Sequence, residues 1–234
     1  MAQEQAPKAS RDTVLRMLRT KSCMKQDVYA STTVLFKLMK EVVQEIAADL
    51  AEQVKITDER LTVVHTDKST TTFELKVAGD LIVFNMHTNV FKLDQSHPLW
   101  KSSYLEDDPL RGYFGVINIY NFLSDSMKYD RERDIGYLVA RLLLNKEGHY
   151  FMQGKRRLGF LYNNLQEAVI ERERLREMLY TVIDHVLDFD LLAPPYDQVE
   201  QVSVSELKQL YANQQMSTGK RLGFRFQADL EDLD

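Results

Sequence analysis

The chain has 234 residues, 44% of them hydrophobic and 28% charged, with a formal net charge of −5 and one cysteine, Cys23. That apolar content can bury a core and argues against a disordered chain, the negative charge argues against a broad nucleic-acid or anionic-membrane surface, and a single cysteine excludes an internal disulfide. No apolar run approaches the roughly 18 to 20 residues of a membrane span and no signal-peptide core is present, so the expected location is cytoplasmic, with no membrane partner.

Residues 1–26 read as a basic flexible arm carrying Lys8, Arg11, Arg16, Arg19, Lys21 and Lys25. Within it Arg11 to Thr20 can form a short helix with Val14, Leu15 and Leu18 on one side. A core domain is expected over 27–193. Asp27 is the expected N-cap of an amphipathic helix reaching about Gln53, because Phe36, Met39, Val43, Ile46 and Leu50 recur at steps of three and four, with Leu35, Leu38 and Val42 broadening the stripe.

Two interlocked hairpins follow between Leu61 and Asn89. With Gly79-Asp80 as a two-residue turn, Val77 pairs with Ile82, Leu75 with Phe84 and Phe73 with Met86; a turn over Asp67 to Thr70 pairs Val64 with Phe73. This register gives one continuous apolar face. It sets His65, Thr72 and His87 in a row on the other face, beside Val63, Glu74 and Asn85. The candidate ligand-contacting residues are therefore His65, Thr72, Glu74, Asn85 and His87. No metal or cofactor is expected there, since two histidines separated by a middle strand start nearly 10 Å apart while an ion needs ~2.1 Å bonds. Glu74-x-Lys76 after Asp67 superficially resembles the core of Mg²⁺-dependent nucleases of the restriction-endonuclease type, but the expected register holds Asp67 roughly 13 Å from the required position.

The stretch from Lys92 to Arg111 has no clear period and contains Pro98, Pro109 and the acidic run Glu106-Asp107-Asp108. Loops of that length are often functional, and its Trp100, Tyr104 and Arg111 are candidate partner contacts. Val116 to Leu123 reads as a strand and Ser124 to Asp134 as a charged connection. Ile135 to Asn145 and His149 to Gly154 form a hairpin whose turn, Lys146-Glu147-Gly148, pairs Leu144 with Tyr150 and Leu142 with Met152 and leaves Arg141 beside Gln153 on the other face.

Leu161, Leu165, Ala168, Arg172, Leu175, Leu179, Val182, Val186 and Phe189 keep a three-four alternation, predicting a second long helix over 161–190 with Arg172 in its seam. At roughly 42 Å such a helix exceeds what a six-strand sheet needs, so Arg172 and Leu179 join the candidate partner contacts. Pro194-Pro195 ends it and opens an appendage over 194–234, with a helix from about Ser203 to Asn213, a strand from Arg221 to Phe226 and an acidic tail. Lys155, Arg156 and Arg157, with Lys220, Arg221 and Arg225, are weak nucleic-acid candidates because Phe160, Phe224 and Phe226 interleave them.

The predicted fold is α+β: a single antiparallel sheet of about six strands, two long amphipathic helices on one face, and a small helix-strand appendage. The layout resembles in outline the sensor-like and profilin-like folds, which carry ligand or partner sites on the exposed sheet face; such a likeness implies no particular activity. No nucleophile with a base and no phosphate-binding loop occurs, so no catalytic residue is assigned. The leading expectation is a non-catalytic interaction or assembly component, a homodimer or part of a larger complex, which binds a protein partner through the 161–190 helix and the 92–111 loop. The alternative is a small-ligand sensory domain with a pocket above His87, Glu74 and Asn85. A nucleic-acid-processing accessory protein or Mg²⁺-dependent nuclease is third.

Overall fold

A computed structural model describes residues 10–129, 134–154, 157–162, 164–166, 169–190, 195–205 and 207–208. The fold is α+β, as the element order predicts. Helix α1 (Arg11–Met17) passes through a π-helical turn, Leu18–Ser22, directly into α2 (Cys23–Thr57). Ser10 caps this rod by accepting the Thr13 N–H at 3.2 Å. Asp27, the expected cap, lies inside α2 instead, because no Gly or Pro between Arg11 and Asp27 stops the helix from propagating upstream. The expected stripe is the buried one: Leu35, Phe36, Met39, Val42, Val43 and Ile46 all face the core.

The strands are β1 (Val63–Asp67), β2 (Thr72–Val77), β3 (Asp80–Met86), the short β4 (Phe91–Lys92), β5 (Tyr113–Leu123), β6 (Tyr137–Leu144) and β7 (Tyr150–Gly154). Their order is β1-β2-β3-β5-β6-β7, all neighbours antiparallel, with β4 beside the start of β5. Short helices α3 (Ser103–Asp107) and α4 (Ser124–Lys128) flank β5, and α5 (Arg157–Leu161) follows β7. Helix α6 (Arg172–Leu187) then packs beside α2 on one face of the sheet. Phe73, Leu75, Ile82, Phe84, Ile117, Ile119, Leu142 and Met152 meet both helices there. Among the described residues no helix is long and apolar enough to cross a membrane.

Three further sequence expectations change. The second hairpin turns over Ala78-Gly79, pairing Val77 with Asp80, Leu75 with Ile82 and Phe73 with Phe84. A slip of two residues keeps every side chain on its face, and it lets the Phe73 and Phe84 rings stack at 4.6 Å. The first hairpin slips by an odd number, because Lys68 and Ser69 both donate to Thr72 O and so lengthen the loop. Val63, His65 and Asp67 therefore pair with Val77, Leu75 and Phe73, which turns His65 toward the helices and leaves Val64 48% exposed.

The third change concerns the second helix, whose seam does not run unbroken from 161 to 190. The segment before α6 serves the edge of β7: Met152 N–H donates to Tyr162 O at 2.7 Å, and Val169 bridges to His149. An unpaired strand edge demands such partners, and this demand overrides the heptad pattern. Beyond α6, α7 (Tyr196–Val199) and a Leu207 N–H to Ser203 O bond of 2.9 Å stand in the expected appendage, while Arg221 to Phe226 fall outside the described residues. By contrast the β6–β7 hairpin has the expected pairs, with Gly148 at a left-handed φ of 78°.

The turn at Ala78 has a φ of 52°, where an L residue is strained and glycine is not. Ala78→Gly is expected to stabilise the fold by about 0.5–1 kcal/mol, the relief exceeding the added chain entropy of glycine. Urea unfolding checks this; a lower midpoint for the variant would contradict the turn geometry.

Candidate ligand-binding cleft

The sheet face turned away from the helices carries a polar row made by cross-strand pairing. Thr72, Asn85, Asn118, Arg141 and Gln153 are successive partners across β2, β3, β5, β6 and β7. Asn85 Nδ2 donates to Thr72 Oγ1 at 2.9 Å, and Arg141 Nε donates to Asn118 Oδ1 at 3.1 Å. The adjacent row is His87, Val116, Leu143 and Phe151, with His87 N–H bonded to Val116 O at 2.8 Å. After His87 the chain turns back as β4 and raises a wall over these two rows. The cleft holds about 350 Å³ and is open to one side, with Asn118, Arg141, Gln153, Val116 and Leu143 on the sheet side and His87, Phe91, Lys92, Leu93, Asp94 and His97 around it.

The wall is held by its own hydrogen bonds. His87 Nδ1 accepts the Asn89 N–H at 3.0 Å and His97 Nδ1 accepts the Leu99 N–H at 3.3 Å, so the proton of each neutral ring sits on Nε2. The His87 ring also stands edge-on to Phe91 at 4.6 Å. Asp94 Oδ1 accepts from both the backbone and the hydroxyl of Ser96, which holds this carboxyl below its ordinary range. Trp100 Nε1 donates to Asp94 O at 2.8 Å while Lys92 Nζ lies 5.1 Å over the indole. Gly112 lets the indole seat, since a Cβ there would come within 2.3 Å of the ring.

Beneath the loop, Tyr104 and Arg111 are occupied inside the chain. Arg111 Nε donates to Glu147 Oε1 at 2.9 Å, and its Nη1 donates to Tyr104 O at 2.9 Å. Tyr104 Oη donates to Glu147 Oε2 at 2.8 Å and accepts from Asn145 Nδ2 at 2.9 Å. Burial is the main cause that pushes the Tyr104 hydroxyl up to about 12. Burial also works to raise Glu147, but the Arg111 and Tyr104 hydrogen bonds outweigh it and hold the carboxyl below its usual range. Lys146 pairs with Asp108 and completes the clamp between this loop and the β6–β7 hairpin.

The remaining sequence candidates scatter. Leu179 is 1% exposed in the core, and Arg172 bonds to Glu41 and Glu45 of α2, so the α6 seam is closed by its own protein. Trp100 is half-buried at the foot of the cleft wall. Glu74 lies on the open face one row from Asn85, buried, with Lys68 Nζ at 3.1 Å. His65 is on the opposite face from His87, against Gln44 and 5.5 Å from the Phe73 ring, so the two histidines cannot share a ligand. Asp67 likewise faces α2, bonded to Lys40 at 2.8 Å, and does not meet Glu74. No group of three or more potential metal-ligating side chains converges among the described residues. Arg157 stands exposed 3.8 Å from Asp184, while Lys155, Arg156, Lys220, Arg221 and Arg225 lie outside the described residues.

Of the five candidate ligand residues, His87 alone lines the cleft, while Thr72 and Asn85 continue the row of Asn118 and Arg141 beyond it. The residues missed include Phe91, Lys92, Asp94, Asn118, Arg141 and Gln153, the last two read only as neighbours on this face. One signal was available: Asn118 is an amide inside the apolar run Val116 to Ile119. Comparisons with protein-family models, curated proteins and solved structures find no match to this chain.

His65 also predicts a pH dependence. Burial is the main cause that lowers its pKa from 6.5, and its Nε2 is buried with no hydrogen-bond partner among the described residues. The unfolded chain therefore binds a proton more readily than the folded one, and stability falls as pH drops from about 6.5 through the folded pKa. Between pH 7.5 and pH 5 the native protein should lose more stability than His65→Leu. Equal losses in paired urea titrations would show that His65 is not the group responsible.

Proposed function

We propose that the protein is a non-catalytic binding module that takes a small molecule in the cleft on its open sheet face. One observation carries the reading. Arg141 is half-buried in the cleft, its Nε is bonded to Asn118, and no carboxylate pairs with its terminal nitrogens among the described residues. An uncompensated charge in a partly dry site is costly, so a counter-group from outside the chain is the simplest way to offset it. The volume falls at the small end of ligand pockets, which run about 300–1,000 Å³. Binding is favoured over chemistry because no Ser, Thr or Cys lines the cleft among the described residues and Ser96 holds one oxygen of the Asp94 carboxylate. Within this reading the protein works in the cytoplasm, where the exposed Cys23 stays a thiol.

A chemically broad fragment library, followed by amide NMR on the full chain, tests the reading. Binders should perturb Asn118, Arg141 and Gln153 and raise the melting temperature by mass action, equivalent to about 2.7 kcal/mol at a hundredfold excess over Kd. A library with no compound that perturbs these residues would refute it.

A second reading keeps the assembly component expected from the sequence but moves its contact to the N-terminal helix. Helix α1 has no buried residue, and Val14, Met17 and Leu18, at the N-terminal end of the rod, are 49%, 46% and 52% exposed. On this reading the chain is a homodimer by light scattering, and Val14→Glu with Leu18→Glu halves the mass. A monomer at concentrations up to about a hundred micromolar would remove it.

A further inference from the structure

We infer that the ligand of the open-face cleft is a small organic carboxylate with an apolar body; this rests on the reading of the cleft as a binding site. Most of the polar groups lining the cleft are donors, and the open acceptors are the amide oxygen of Gln153 and the second oxygen of Asp94. Arg141 offers the two terminal nitrogens of its fork, because Nε is occupied by Asn118. Asn118 offers its amide NH₂, because its oxygen accepts from Arg141. His87 and His97 each have Nδ1 occupied by a backbone N–H, which leaves Nε2–H. Lys92 adds an ammonium, and Ser96 occupies one of the two oxygens of Asp94.

That set discriminates among ligand classes. A cation or a donor-rich neutral molecule finds few acceptors and leaves Arg141 uncompensated. A carboxylate presents two oxygens at the spacing of one guanidinium fork and gains a charge-assisted bidentate pair. Arg141 and Lys92 against Asp94 leave one net positive charge, which balances a monoanion rather than a doubly charged phosphate. The rest of the lining, Phe91, Leu93, Val116 and Leu143, is apolar and suits a hydrocarbon or aromatic body on the acid.

Benzoate and 3-phenylpropionate, their neutral primary amides, and inorganic phosphate serve as probes, titrated at constant ionic strength into the full chain and followed by NMR. The expected result is that each acid perturbs the Asn118 and Gln153 side-chain amides and the Arg141 Nε–H, and binds at least about tenfold tighter than its amide, as a charge-assisted hydrogen bond is worth about 1.5–3 kcal/mol. Arg141→Gln should erase that preference. Arg141→Lys, which keeps the charge without the fork, should retain only part of it, and both variants should keep the native amide spectrum outside the cleft. Acid and amide binding equally at these residues would overturn the carboxylate assignment and leave the cleft reading standing. Phosphate binding tighter than either acid would overturn it in favour of a phosphorylated ligand. If no probe perturbs the cleft and the fragment library also fails there, the binding-site reading falls as well.

Discussion

The pairing of β5 with β3 on one side and β6 on the other is the constraint on which the molecule depends. Strand β5 is nearly all buried, and its alternation sends Ile117 and Ile119 toward the helices and Val116 and Asn118 the other way. The first pair anchors the core and the second begins the cleft. One register therefore fixes both. A slip of one residue would send Asn118 under the helices and Ile117 to the open face, so the polar row is enforced by the same burial that stabilises the domain.

The two faces are held by different forces. On the helical side packing dominates: Phe36, Phe73 and Phe84 form a ring cluster, and Arg172 and Arg176 tie α6 to Glu45 of α2 at its solvent margin. Those rim ion pairs add orientation more than stability, because exposed pairs are each worth no more than about 1 kcal/mol. On the open side a smaller apolar cluster of Leu93, Leu105, Phe114, Leu143 and Phe151 sits under the loop, and the Arg111, Glu147, Tyr104 and Asn145 network clamps the loop down. A long irregular segment thus acts as a fixed wall, because its polar groups are bonded to the neighbouring hairpin and not left to water.

What could be read from the sequence follows contact range. The β6–β7 register was legible because a three-residue turn with a left-handed glycine specifies it locally. The faces of β2 and β3 were also legible, since an even slip preserves them, although Gly79 took the second turn position and not the first. The orientation of β1 was not, because it hinged on the number of loop residues before Thr72, where His65 and Val64 fit either face by composition. The end of α6 misled for a related reason: Leu161 and Leu165 keep the helical spacing, yet backbone hydrogen bonds to β7 claim their segment. Arg141 was read beside Gln153, within its hairpin. Its meeting with Asn118 and His87 depends on β5 lying between β3 and β6, a non-local choice with no local signal.

The strap formed by Tyr162 and Val169 along β7 also governs what the sheet cannot do. With Met152 and His149 already partnered there, edge-to-edge growth of the sheet is hindered on the β7 side. At these positions the architecture thus withholds the β7 backbone from neighbouring molecules, while the polar sheet face stays uncovered.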